Sequence, residues 1–316
     1  MDFKFVNNPS PKPESSGKKG NKPTSSFIPI EPEWTLDEVI LSATTRGSLD
    51  DIVSFCKNKD KIIQDWELYR FMKGSGGCIG INFWGLPGTG KSIAAEAVAK
   101  AIGKKIIQVS YASLMDSLQG NTEKNISALF QTAVDEDCVI LFDEADGLLS
   151  ARKTNSSNSD SANLIKSHLL TILERSSAIV IFTTNFFKSY DRAFVRRILW
   201  NIEFTAPDLD ELTQLWQLHI GAKVPRVISY TELASLTDSI AKAKNIKLTG
   251  GDIRKMTLMF CTRLTSGKIS QIDEITATEV IEKYLSDLEE TNTSDMTRKQ
   301  ILSKEELPEN IRKEFE

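Results

Sequence analysis

The sequence predicts an α/β protein: a parallel five-stranded sheet with flanking helices, followed by a small all-helical domain. Three observations carry this. Short apolar runs alternate with helical patterns between residues 80 and 204. Two of the runs, Val139–Phe142 and Ala178–Thr183, are apolar nearly throughout, as strands buried on both faces require. After Asp208 strand patterns cease and four helical ones follow.

Taken in order, Gly80–Trp84 is a short apolar strand and the alanine-rich Ser92–Ile102 a helix. Lys105–Val109 is strand-like. Glu123–Glu136 has helical spacing, with Ile126, Leu129 and Phe130 on one face. Val139–Phe142 and Ala178–Thr183 are strands. Between them Ala162–Glu174 is a helix carrying Leu164, Ile165, His168, Leu169 and Ile172. Ile202–Phe204 makes a fifth short strand. Asp208, after Pro207 and three residues before Glu211, opens a helix with a capping box. Leu209, Leu212, Trp216 and His219 share a face of that helix. Thr231–Ala243, Thr249–Leu264 and Thr278–Leu288 are the remaining helices, and no internal repeat is visible.

The chain divides into four parts. Residues 1–33 are expected to be a disordered Pro/Lys/Ser-rich tail, holding six of the ten prolines; residues 1–26 carry a net charge of +3. Residues 34–206 form the α/β unit and 207–290 the helical one. Residues 291–316 are expected to be an acidic C-terminal tail; from Asp287 onward nine acids face five bases.

Composition excludes whole classes. With 316 residues, 40% hydrophobic and 26% charged, the chain is neither disordered throughout nor fibrous. A net charge of −4 offers no basic field for nucleic acid. No apolar run reaches the roughly 18 residues of a membrane helix, so no membrane contact is expected. The start, MDFKFVNNPSPKPESS, lacks the apolar core of a secretory signal. Cys56, Cys78, Cys138 and Cys261 lie far apart, which suits reduced, mostly buried thiols and a cytoplasmic protein. Two histidines, His168 and His219, make a histidine-based metal site improbable; both are expected to be ordinary helix residues.

The chemistry lies between the predicted first strand and helix. Gly85-Leu86-Pro87-Gly88-Thr89-Gly90-Lys91-Ser92 matches G-x-x-x-x-G-K-[ST] without a mismatch, in the strand-to-helix context that the motif requires. The glycines let the backbone curl its N–H groups towards phosphate oxygens, and the helix start adds its positive dipole end. Lys91 is placed to reach the β/γ phosphates of ATP and the Ser92 hydroxyl to ligate Mg²⁺. Pro87 and Thr89 belong to the same cradle. Val139–Phe142 then ends in two adjacent carboxylates. Asp143 is expected to help hold Mg²⁺, largely through its water shell, and Glu144 to act as general base on the attacking water.

These residues, in this order, resemble the AAA+ ATPases, a family of P-loop NTPases, and within them the AAA branch proper. Phe142-Asp143-Glu144-Ala145-Asp146 resembles the Walker B segment with its trailing acid. Thr183-Thr184-Asn185 closes a strand where the family has sensor 1, which implies that Asn185 bonds the γ-phosphate or the attacking water. Asp191–Arg197 resembles the second region of homology, which ends in arginine fingers that reach a neighbouring subunit's site. Arg196 and Arg197 are adjacent, as in the katanin and spastin-like arrangement, and Arg196 is the firmer assignment. Trp34–Leu41 resembles the segment beside the adenine, so Val39 and Ile40 are assigned to nucleotide binding. Thr249-Gly250-Gly251-Asp252-Ile253-Arg254 resembles the sensor 2 segment of a helical lid. Gly250 and Gly251 stand where some branches place an arginine, and Arg254 is read as a surface or interface charge.

Ser117–Asn125 resembles the family's first pore loop, with Leu118 where threading members carry an aromatic residue; Met115 lies nearby. Arg152–Asp160 matches the second pore loop in place. The resemblance implies an ATP- and Mg²⁺-dependent homo-oligomer, a hexameric ring, that remodels or unfolds a protein client. The alternative is a nucleotide-gated switch or assembly module that regulates a separate effector, such as a protease. About 30 residues precede the resemblance, so client choice is expected to rest with the tail, the pore loops or a partner.

Overall fold

The computed structural model describes residues 27–67, 77–110, 122–150, 159–185 and 190–305. Within them β1 (Ile79–Gly85), β2 (Ile106–Ser110), β3 (Val139–Asp143), β4 (Ile179–Thr184) and β5 (Ile198–Phe204) form one sheet in the order β2-β3-β4-β1-β5. Every pairing is parallel. Helices α1 (Ala43–Lys57), α2 (Lys59–Gln64), α3 (Lys91–Ala101), α4 (Thr122–Asp135), α5 (Asp146–Leu149), α6 (Ser159–Arg175) and α7 (Arg192–Val195) accompany it. Then α8 (Leu209–His219), α9 (Tyr230–Ala243), α10 (Gly250–Thr265) and α11 (Glu274–Glu305) follow without another strand.

The apolar strands are explained by two cores. Alternate residues of a strand face opposite ways. Val139 and Leu141 of β3, and Ile179 and Ile181 of β4, face a core with Leu49 and Ile52 of α1 and the alanines of α3. Ile140, Phe142, Val180 and Phe182 face the other core, with Ile126 and Leu129 of α4 and Ile165 and Leu169 of α6. The alanine-rich face of α3 lets that helix lie close to the sheet. Phe182 is fully buried and stacks on Phe142 at 5.3 Å between ring centroids. Phe182→Ala should therefore cost about 3–5 kcal/mol in urea unfolding, as for other buried phenylalanines; a loss below ~1 kcal/mol would mean that the site collapses around the gap.

A third core lies among α8–α11, built on Trp216, Phe260, Met256 and Ile281. Capping boxes start α8 at Asp208, α9 at Ser229 and α10 at Thr249. Val39 packs on the core under the sheet and Ile40 on the helical core, so consecutive residues join the two units.

Several bounds differ from the sequence expectation. β5 begins at Ile198 rather than Ile202. It is an edge strand, so its buried Ile198, Ile202 and Phe204 alternate with exposed Leu199, Asn201 and Glu203, and no apolar run announces it. α1 and α2 are not among the elements that the pattern predicts; α1 buries only Thr45, Leu49 and Ile52 and contains Gly47. α11 starts before Thr278 and continues through the expected boundary at residue 290 to Glu305. Cys78 and Cys138 are buried, Cys56 and Cys261 partly so, and all four are free. Among the described residues no helix is long and apolar enough to cross a membrane.

Candidate functional site

The sheet order brings the ends of β1, β4 and β3 side by side. Ligands of open α/β sheets bind at this carboxyl edge. The loop Gly85–Gly90 leaves β1 and enters α3 with Gly90 as its N-cap. Gly85 has φ +145°, and a Cβ there would lie 2.2 Å from the Phe204 carbonyl oxygen, so only glycine fits beside β5. Pro87 is exposed on the loop, and the Thr89 hydroxyl donates to the Leu86 carbonyl at 2.8 Å.

Lys91 is buried at 8% exposure, an unusual state for a lysine. Its ammonium donates to the carbonyls of Gly85 and Leu86, both at 2.8 Å, and to Asn185 Oδ1 at 3.1 Å. All three acceptors are neutral. Burial pushes its pKa down to about 8, against the pull of Asp146 and Asp143. A buried ammonium held on neutral oxygens favours an incoming polyanion, which would restore its charge balance.

Ser92 Oγ donates to Asp143 Oδ1 at 2.9 Å. The same carboxylate oxygen accepts from the Thr183 hydroxyl and, at 3.2 Å, from the Glu144 N–H. Glu144 is exposed and sits at φ 52°, a left-handed position that few non-glycine residues take. Its N–H also donates to Thr183 Oγ at 3.1 Å, so β4 fixes the turn that carries Glu144. The Asn185 N–H donates to both Asp146 carboxylate oxygens at 3.0 and 3.2 Å. Asp146 thus holds Asn185, and Asn185 holds Lys91.

Val39, Ile40, Gly88, Thr89, Gly90, Lys91 and Ser92 line a cavity of about 590 Å³. The sequence motifs did not point to Thr45, Phe204, Pro207, Glu211, Leu215 and His219, which also line it; Gly250, Gly251 and Arg254 of α10, from the segment that resembles sensor 2, complete this wall. His219 was expected as an ordinary helix residue and Arg254 as a surface charge. Both border the cavity, Arg254 exposed and His219 half-buried.

Arg196 and Arg197 lie away from this edge. They precede β5, whose Ile198 pairs with Gly80 at the start of β1, while Phe204 pairs with Gly85 at its end. Arg197 forms an ion pair with Glu174 of α6 and donates to the Ala193 carbonyl at 2.7 Å. Arg196 is exposed; its N–H donates to the Arg192 carbonyl at 3.2 Å, while its side chain has no hydrogen bond or ion pair among the described residues. Leu118, Met115, most of the first pore-loop segment and Arg152–Asn158 of the second lie outside the described residues.

A family model described as "ATPase family associated with various cellular activities (AAA)" matches residues 81–206, the span from β1 to the end of β5. By this match residues 81–206 carry an AAA-type ATPase domain. Among curated proteins, the chain is 32% identical over 167 residues to the vacuolar protein sorting-associated protein 4 of Dictyostelium discoideum, covering 50% of the chain and 37% of that protein. It is 31% identical over 175 residues to an uncharacterised AAA family ATPase of Sinorhizobium fredii, covering 54% and 51%. It is 30% identical over 190 residues to the 26S proteasome regulatory subunit 7 homolog B of Arabidopsis thaliana, covering 57% and 39%. The chain spans about half the length, or less, of these relatives. The comparisons support the AAA family without singling out the katanin and spastin-like branch.

His219 gives this protein a readable pH dependence. Burial, and then Arg254, hold its imidazole below the ordinary histidine range. As pH falls, the unfolded chain takes up this proton first, so stability present above about pH 6.5 is lost on the way down. The unfolding free energy of His219→Gln should be flatter than that of the wild type between about pH 7 and 5. Urea titrations at each pH read this, and identical slopes would remove His219 as a source.

Proposed function

We propose that this AAA ATPase binds and hydrolyses ATP with Mg²⁺, as a homo-hexameric ring that remodels or unfolds a protein client. The observation that carries the reading is the continuous chain of contacts from Lys91 through Asn185 to Asp146, beside Ser92 on Asp143. That geometry supports the following roles. Lys91 and the N–H groups of the loop take the phosphates, while Val39 and Ile40 wall the base. Glu144 orients and deprotonates the attacking water, and Asn185 holds that water or the γ-phosphate.

The residues present fit Mg²⁺: a hydroxyl and a carboxylate oxygen, both hard donors, lie 2.9 Å apart at Ser92 and Asp143. Mg²⁺ supplies charge neutralisation on the phosphates when bound. Arg196 is proposed to act on a neighbouring subunit, since its own phosphate loop lies at the far end of β5. The relatives that support action on proteins carry names such as proteasome regulatory subunit, and the net charge of −4 disfavours nucleic acid as partner. The free thiols agree with a cytoplasmic site of action.

The test is ATPase rate per subunit against protein concentration, with and without an unfolded protein. A rate that rises with concentration and with unfolded protein supports the ring remodeller. A concentration-independent rate overturns the ring. A slow rate indifferent to unfolded protein but raised by one effector favours the switch.

A further inference from the structure

The helical unit touches the phosphate loop through bare backbone. The Gly251 N–H donates to the Gly88 carbonyl at 3.0 Å. A Cβ on Gly251 would stand 3.3 Å from Gly88 Cα, and one on Gly88 would meet Thr249 Oγ at 2.8 Å. A contact this close needs the turn from Thr249 to Asp252 held in one shape. Asp252 holds it from within: its Oδ2 accepts from the Thr249 N–H at 2.8 Å and from the Thr249 hydroxyl at 2.7 Å. The other oxygen, Oδ1, accepts from the Tyr284 hydroxyl at 2.6 Å. Asp252 is buried, so both oxygens of a desolvated carboxylate depend on these donors. Two come from its own turn. The third comes from α11, 32 residues on.

We infer that Tyr284 is a positioning residue for the nucleotide site, bracing through Asp252 the turn that clasps the phosphate loop. The inference rests on the ATP-binding reading above. Burial, and then Asp252 itself, push the Tyr284 phenol upward, so the hydroxyl keeps its proton and donates across the working pH range. Without that donor the carboxylate seeks water, and the Gly251–Gly88 contact loosens with it. Gly88 cradles phosphate in ground and transition states alike, so the loss falls on binding: KM rises while kcat holds. The last helix, which also shares an apolar core with α10, is thereby linked to the cleft through the Tyr284 hydroxyl.

The experiment uses the full chain and Tyr284→Phe, which keeps the ring and removes only the oxygen. Binding of a fluorescent ADP analogue and steady-state ATP kinetics are measured beside Val280→Ala, a control on the same helix whose side chain is buried in the helical core. Tyr284→Phe should raise the analogue's Kd and the KM for ATP about tenfold, with kcat within about twofold, on the scale of one hydrogen bond to a charged group partly transmitted. Val280→Ala should lower the melting temperature and leave both constants unmoved. An unchanged Kd in Tyr284→Phe overturns the inference, and so do equal shifts in the two variants, which would make the effect one of helix stability alone. A wild type that binds no analogue would instead overturn the ATP-binding reading.

Discussion

Arg196→Ala is expected to lower ATP turnover at saturating nucleotide by roughly 10³-fold or more, the range measured for arginine fingers, and to leave nucleotide affinity within a few fold. The reason is distance. β5 runs seven residues from beside Gly80 to beside Gly85, about 20 Å at the rise of a strand. Arg196 stands before its near end and the phosphate loop at its far end, beyond the reach of one side chain. Arg196 is exposed and its side chain has no ion pair among the described residues, so none of them employs it. Mixing gives the decisive measurement. Lys91→Ala subunits lose their own site but keep Arg196; Arg196→Ala subunits do the reverse. If sites are shared, the two inactive proteins together regain activity. Two variants that stay inactive when mixed, or an Arg196→Ala protein with normal turnover, would end the trans reading. Arg197→Ala should behave differently, because Arg197 is tied to Glu174. Its loss should appear mainly as a modest drop in stability, the usual weight of a partly exposed ion pair.

Glu144→Gln should bind ATP with near-native affinity and turn it over 10²–10⁴-fold more slowly, the contribution of a positioned general base. Gln keeps the size and the left-handed backbone of Glu144, whose N–H bonds to Asp143 and Thr183 are main-chain and survive the change. What disappears is the proton acceptor alone. With ATP retained, the assembled form should accumulate and elute earlier in size-exclusion chromatography. Lys91→Ala gives the contrasting pattern, since removing the ammonium from beside Gly85, Leu86 and Asn185 takes away binding itself. Normal hydrolysis by Glu144→Gln would remove Glu144 from the base role.

Much of the phosphate end was legible because its signals are local. The Gly85–Ser92 motif, the apolar runs at 139–142 and 178–183 and the capping box at Asp208 each occupy a few consecutive residues, and each reappears as the element that it announced. Asn185 could be named only through the family resemblance. Its contact with Lys91 spans 94 residues and exists because β4 lies next to β1. Asp146, the residue that orients Asn185, carried no signal beyond being a trailing acid.

The sequence by itself determined the α/β alternation, the phosphate loop and the paired acids, since short-range spacing and local backbone chemistry suffice for these. Only the tertiary structure decided the rest. It set the strand order that gathers Lys91, Asp143 and Asn185 at one edge. It brought His219 and Arg254 from the helical unit onto the cavity. It separated the two adjacent arginines, pairing Arg197 with Glu174 and leaving Arg196 exposed. It joined Tyr284 to the phosphate loop through Asp252. Those outcomes depend on which distant segments share a buried face, a property of packing over the whole chain that no local pattern encodes.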